Sequence, residues 1–332
     1  MWMEILLVLR DIALAYVFLN IAAFVRNRCL RLPFRPRSDF TLGETLLVVV
    51  AHQDDELIIA GGAIARTLEK GGAVHVAYTA DGVTRDPSLT EDEVQKQIAG
   101  REEESLACLA DLGIPRRNAH FLRYENEEGL TEPSNVDRAA GQVARLISEL
   151  QPYAVLTSAF EGGHSDHDAT HFIVSRAAEA SRFTLDRVFE APEYSRFYLR
   201  SYLIRRLNEI LLIKFGTPPR LLPSTTPSFA LDMSREEIAR KRRLLGHFKT
   251  QKPRRLTRHF GFPDQFRLFS KVDYLKGPFD PRDSLRYRFI SRWRRKAPFS
   301  GGLTNEDYRR VYSRLEAERP EGRFDTRRLE RS

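Results

Sequence analysis

The sequence predicts an α/β fold: a Rossmann-like, mostly parallel sheet with helices on both faces, preceded by an apolar helix and followed by a basic extension. Three observations lead there. The runs TLLVVVA, AVHVAYTA, AHFLRY and YAVLTSA are short, apolar and of strand character. They alternate with ELIIAGGAIARTLEKG, EVQKQIAGREEESLACLADLGI and NVDRAAGQVARLISELQP, whose apolar residues recur at the helical period. Each of these longer stretches stops at Gly or Pro, as helix ends do. Strands that alternate with helices of this length return to the sheet in parallel.

Taken in order, the first element is the segment MEILLVLRDIALAYVFLNIAAFV, an apolar stretch interrupted by Glu4, Arg10, Asp11 and Asn20. Only Ile12 to Val25 is free of ionisable groups, and the basic cluster RNRCLRLPFRPR follows. Two readings stay open: a helix packed on the body of the protein, or a membrane anchor or interfacial helix. In the second, the trailing basic cluster places the remainder on the cytoplasmic side. The organisation expected is an N-terminal apolar helix and linker over 1–42, an α/β domain over 43–250 and a basic extension over 251–332.

The chain of 332 residues is long enough to bury a full core, and its two cysteines, Cys29 and Cys108, supply neither a disulfide framework nor a cysteine metal site. That usage fits a reducing, cytoplasmic compartment, and it leaves histidines and carboxylates as the only metal ligands. Charge is divided unevenly. Residues 1–195 hold 19 Lys+Arg against 30 Asp+Glu, and residues 196–332 hold 34 against 15. A basic half of this kind suits an anionic membrane surface, a phosphate-bearing ligand or simply solvent.

Chemistry concentrates at two strand ends. In an open α/β sheet, ligands bind beyond the carboxyl ends of the strands. AHQDDE follows the first strand and EGGHSDHDATH follows the fourth. An isolated DDE at a helix start would serve as a cap. Two such clusters at two strand ends, holding four of the eight histidines between them, point instead to a metal site. His52 and Asp55, three apart across a strand-to-helix turn, can reach one ion, with Asp54 free for another task. His164, Asp166, His167 and His171 supply further groups behind the turn-forming Gly162 and Gly163. A catalytic zinc site uses three N/O ligands and leaves one position for water, so two histidines and a carboxylate match it.

These two motifs resemble those of the PIG-L/LmbE-like zinc-dependent N-deacetylases, whose first motif is AHPDDE and whose second is a Gly-rich H-x-D-H. The resemblance covers roughly Leu46 to His171, includes REEESLACLADLG, and continues weakly through KRRLLGHFKTQ. It implies an LmbE-like fold, Zn2+ as cofactor, with Fe2+ or another divalent metal as alternatives, and an N-acetylated sugar as substrate. Carried over by position, it implies that His52, Asp55 and His167 bind the metal and that Asp54 is the general base. His164, oriented by Asp166, would stabilise the oxyanion or protonate the leaving amine, and Arg101 would contact the sugar. Asp81, in the Asp81-Gly82 turn, would line the pocket, while an ordinary turn role is an equal alternative. His171 is expected to support the site rather than to bind metal, and Glu56 to serve the helix start. Gln53 replaces the family's Pro and either bonds substrate or reaches solvent.

In the C-terminal half, RFYLRSYLIRRLNEILLIKFG reads as a helix packed on the domain or facing a membrane. QKPRRLTRHF and RYRFISRWRRK interleave basic and aromatic residues, a pattern seen in single-strand nucleic-acid binding. The hydrolase motifs upstream disfavour nucleic acid as the partner. Two functions are therefore expected to compete: a metal-dependent deacetylase of an N-acetylated amino sugar, and a non-catalytic glycan- or anionic-lipid-binding protein on the same fold.

Overall fold

The computed structural model describes residues 2–29, 35–37, 42–126, 129–161, 164–193, 228–260, 262–270, 272–275 and 312–314. Gly162, Gly163, RFYLRSYLIRRLNEILLIKFG and RYRFISRWRRK lie outside the described residues. The chain opens with α1 (Trp2–Cys29) and a short strand β1 (Arg35–Arg37). It continues as β2 (Thr45–Val50), α2 (Asp55–Glu69), β3 (Ala73–Ala80), α3 (Glu91–Leu112), β4 (Ala119–Tyr124), α4 (Pro133–Leu150), β5 (Ala154–Ser158) and α5 (Ser165–Ser181). Then follow β6 (Val188–Ala191), β7 (Ser228–Leu231), α6 (Arg235–Leu244), α7 (Pro253–Phe260) and β8 (Gln265–Leu268).

These strands form one sheet in the order β1-β7-β8-β6-β5-β2-β3-β4. All pairs are parallel except those of β8, which runs antiparallel between β6 and β7. The region after 250, expected as an extension, therefore contributes an interior strand, and no domain boundary at 250 separates it from the sheet. Side chains on a strand alternate between faces, so a strand covered on both sides is apolar throughout. In β2, Leu46, Val48 and Val50 enter the core under α2 and α3, while Leu47 and Val49 enter the core under α4 and α5. The uninterrupted LLVVV run is the sequence mark of that double burial.

The helices begin where their first turns are satisfied. Thr90 and Glu93 form a reciprocal capping box at α3, and Ser234 and Glu237 do the same at α6. Gly113 closes α3 in the left-handed conformation that glycine adopts without strain. At the middle of α2, Gly62 N donates to Asp264 Oδ2 at 2.7 Å and Lys241 Nζ donates to Ile58 O at 2.9 Å. Lys241 and Asp264 pair at 2.6 Å, so α6 and the approach to β8 are bonded to the helix that carries the first motif.

The sheet's order positions the site. β2 lies between β3 and β5; the connection after β2 runs to β3 on one side and that after β5 runs to β6 on the other, the reversal at whose strand carboxyl ends α/β sheets bind ligands. Both motifs start there.

Candidate metal centre

β2 ends at Val50, and the chain turns through His52, Gln53 and Asp54 into α2. Asp54 has φ 116°, a left-handed conformation rarely taken by a residue with a Cβ. Hydrogen bonds hold that turn. His52 N donates to Asp55 Oδ2 at 2.7 Å, and Asp54 N donates to Glu56 Oε2 at 3.0 Å. Glu56 is completely buried and its carboxyl is pushed up to about 7 by burial. It thus serves the helix start from inside, its carboxylate accepting from the N–H of the residue that caps α2.

The second motif enters from β5. His164 caps α5, its Nδ1 accepting from Asp166 N at 3.2 Å, and His167 lies in the first turn of that helix. His52 Nδ1 and His167 Nε2 lie 3.0 Å apart, and each is 3.4 Å from Asp55 Oδ2. Donors placed ~2.1 Å from a tetrahedral ion stand about 3.4 Å from one another, so this triangle has the dimensions of a zinc-type site. The residues present fit a divalent metal.

Both imidazoles are held from behind. His52 Nε2 faces Asn126 Oδ1 at 2.7 Å and Asp166 Oδ2 at 3.0 Å, two acceptors that fix its proton on Nε2 and leave the Nδ1 lone pair toward the triangle. His167 Nδ1 faces Glu193 Oε2 at 2.9 Å. Glu193 in turn accepts from the Ser158 hydroxyl, and its own N–H donates to Glu161 Oε1 at 2.6 Å. The electrostatics favour a cation. Burial would push the Asp55 carboxyl up, but His167 and His52 hold it far below the usual carboxylate range. Burial pushes His52 down, yet Asp166 and Asp55 raise it above its ordinary value, so the carboxylates already demand positive charge there. A divalent ion competes with that proton for the same lone pair.

The structure brings together His52, Asp54, Asp55, His164, Asp166, His167, Gln53 and Arg101, and places Asp81 and His171 elsewhere. Asp54 is buried, with its carboxyl pushed well above its ordinary value by burial and by the neighbouring Asp55. Arg101 Nη2 lies 3.9 Å from Asp54 Oδ1. Asp166 contacts His52 more closely than His164, whose Nδ1 is 4.0 Å from the same oxygen. Asp166 thus lies beside both histidines, with its carboxylate nearer to His52 than to His164. Burial lowers His164 to about 3, which favours the neutral imidazole. With Nδ1 accepting from a backbone N–H, its proton resides on Nε2.

Asp81 is engaged by Arg85 at 2.6 Å and by Val83 N at 3.0 Å, so it braces its own turn. His171 bridges Glu190 Oε2 and Tyr274 Oη, both at 2.8 Å, and stacks on Phe269. It supports the fold rather than the ion. Asn126 and Glu193 were not legible in the motifs. Glu193 carries the weak signal that it, too, follows the carboxyl end of a strand.

Comparison with known proteins agrees with this geometry. The family profile described as PIG-L, GlcNAc-PI de-N-acetylase, matches residues 47–178. A 1D-myo-inositol 2-acetamido-2-deoxy-alpha-D-glucopyranoside deacetylase of Rhodococcus erythropolis is 33% identical over 156 residues, covering 41% of this chain and 53% of the relative. The corresponding deacetylase of Mycolicibacterium smegmatis is 30% identical over 155 residues, with 41% and 53% covered. The chain thus spans about half the length of the curated relatives it matches. Among solved structures, a deacetylase triple mutant involved in the teicoplanin biosynthetic pathway superposes with a TM-score of 0.50 at 18% identity, covering 69% of this chain and 99% of that one, a likeness of fold. The matched span contains β2 through most of α5, with both motifs and all three donors of the triangle. Residues 47–178 of this chain thus form an α/β domain that is similar to the PIG-L deacetylases.

Proposed function

We propose that the protein is a zinc-dependent hydrolase that removes the acetyl group from an N-acetylated amino sugar. One observation carries the reading: two histidines and a carboxylate form a triangle of metal dimensions, and a further buried carboxylate, Asp54, adjoins Asp55 in the same turn. A glycan-binding module would need the pocket but not that base.

An amide is a poor electrophile, and a bound zinc ion supplies Lewis-acid polarisation of its carbonyl and a water acidified toward ~7. Asp54, raised by burial and by Asp55, is a stronger base than a surface carboxylate and takes the proton from the attacking water. It returns that proton to the amine as the C–N bond breaks, so acetate and a free amino sugar leave. His164, neutral and carrying its proton on Nε2, donates a hydrogen bond to the charge that develops on the acetyl oxygen. His52 and His167 keep their orientation through Asp166, Asn126 and Glu193. Arg101 serves the polar groups of the sugar.

The test is acetate release from a panel of N-acetylglucosaminyl glycosides with zinc present. Asp54→Asn is expected to lower kcat by about 10²–10⁴-fold with zinc content unchanged, and His167→Ala to lose both. An Asn variant as fast as the parent would remove Asp54 from the mechanism.

A specific observation also favours attachment of α1 to a lipid surface. Leu9, Ile12, Leu14, Val17, Phe18 and Ile21 are all more than half exposed and spread over more than half of the helix circumference. Among the described residues, no helix is long and apolar enough to cross a membrane. The attachment proposed is therefore peripheral.

A further inference from the structure

The residue that departs from the family motif has a defined place in the site. Gln53 is 1% exposed, and it receives two hydrogen bonds from one guanidinium. Arg101 Nε donates to Gln53 Oε1 at 3.0 Å, and Arg101 Nη2 donates to Gln53 O at 2.9 Å. Proline at this position would offer the carbonyl alone.

The third part of the arrangement is Gly82, in the turn after β3. It has φ +75°, and a Cβ there would stand 2.6 Å from both Arg101 Nε and Gln53 Oε1. Its lack of a side chain leaves the space in which the pair meets. Arg101 projects from α3, about fifty residues from the motif in sequence, so three separate segments of chain converge on this contact.

The chemistry of the contact is informative. A buried guanidinium is ordinarily matched by a carboxylate. Here, among the described residues, the nearest carboxylate oxygen is Asp54 Oδ1 at 3.9 Å, beyond hydrogen-bond reach, and the hydrogen-bond acceptors are neutral. Two donors held by one residue fix the plane of the guanidinium at ion-pair distance from Asp54, with further N–H groups left for an oxygen-rich ligand. We propose that Gln53 is a positioning residue, which clamps Arg101 beside Asp54 so that its remaining N–H groups meet the polar oxygens of the bound N-acyl amino sugar. The substrate half of this proposal rests on the deacetylase reading above.

Gln53→Leu keeps the bulk and removes the side-chain acceptor. It is expected to raise KM for acetate release by about tenfold, the worth of one hydrogen bond, with kcat within about threefold of the parent and zinc content unchanged. Gln53→Glu keeps an acceptor and is expected to restore KM to within about threefold. Gly82→Ala, which forces the pair apart, is expected to raise KM as Leu does. A readout independent of turnover is the ¹⁵N resonance of Arg101 Nε–H, assigned by its loss in Arg101→Lys. It should be protected from solvent exchange in the parent and in Gln53→Glu, and unprotected in Gln53→Leu. A protected Nε–H in the Leu variant, or a KM equal to the parent's, overturns the clamp. Loss of zinc in that variant also overturns it, because Gln53 would then shape the metal turn. If the parent releases no acetate from any substrate while the resonance behaves as stated, the deacetylase reading fails and the clamp stands.

Discussion

Each imidazole of the triangle has a partner outside the two motifs, Asn126 for His52 and Glu193 for His167. His52 is oriented by Asn126 and Asp166, and His167 faces Glu193. Carboxylates placed behind metal-facing imidazoles fix the tautomer and raise ligand basicity, and their removal typically costs about 10–100-fold in metal affinity. Glu193→Ala is accordingly expected to weaken zinc binding by that factor, measured by titration against a competing chelator, while leaving the circular dichroism spectrum of the parent. An unchanged affinity would reduce Glu193 to packing. At this scale the sequence was informative wherever function demanded a local cluster: AHQDDE and HSDH place His52, Asp54, Asp55, His164 and His167 within short reach of two strand ends. It was silent wherever a residue works through a contact made by folding. The family resemblance implies that Asp166 orients His164, whereas His52, more than a hundred positions away, lies closer to the Asp166 carboxylate. Gln53 was undecided between substrate and solvent for the same reason, since its partner Arg101 lies on another helix.

Elements with a full apolar period were legible, and short ones were not. β2, β3, β4 and β5 coincide closely with their predicted runs, as do α2, α3 and α4, because burial on both faces of the strands and one face of each helix leaves a continuous pattern. β6, β7 and β8 are four residues each, VFEA, SFAL and QFRL, too short to show a period, and two of them contain a charge. Those charges satisfy each other. Glu190 of β6 and Arg267 of β8 pair across the antiparallel contact, and His171 of α5 closes the network on the other carboxylate oxygen. Burial alone would push Glu190 up, but His171 and Arg267 outweigh it and hold the carboxyl below its ordinary value of 4.5. A carboxyl depressed in the folded state stabilises the fold above its unfolded value, and that contribution is lost as pH falls through the lower folded value. Glu190→Gln removes the charge that Arg267 and His171 both contact and is expected to cost about 3–5 kcal/mol near neutral pH. The gap in unfolding free energy between parent and variant should narrow as pH falls below 4.5, read by denaturant melts across the range. A gap that stays constant down to pH 3 would show that the network's charge does not stabilise the sheet.

At the scale of the whole molecule, the acidic half contains the metal site and the basic half supplies β7, α6, α7 and β8, which complete the sheet beside it. The two halves are one structural unit over the described residues, joined at α2 by Lys241 and Asp264. α1 is the exception. Among its described residues, Leu9, Ile12, Leu14, Val17, Phe18, Ile21 and Val25 are exposed, with Phe18 at 69%, where a docked helix hides one apolar face. Contiguous exposed apolar surface marks an interaction site, and an apolar helix followed by a run of arginines suits an anionic lipid interface more closely than a protein groove. The two contributions separate by salt, since charge attraction is screened and apolar burial is not. The intact chain is expected to float with vesicles containing anionic lipid at about 0.1 M salt and to be retained in part at about 0.5 M, where only the apolar term survives. Deleting residues 1–30 should abolish the salt-resistant fraction and leave acetate release unchanged, because the triangle and its supports all lie beyond residue 50. If the truncated chain floats as the intact one does at high salt, α1 is not the point of attachment. If the intact chain stays with the supernatant at both salt concentrations, its exposed apolar residues serve some contact other than lipid.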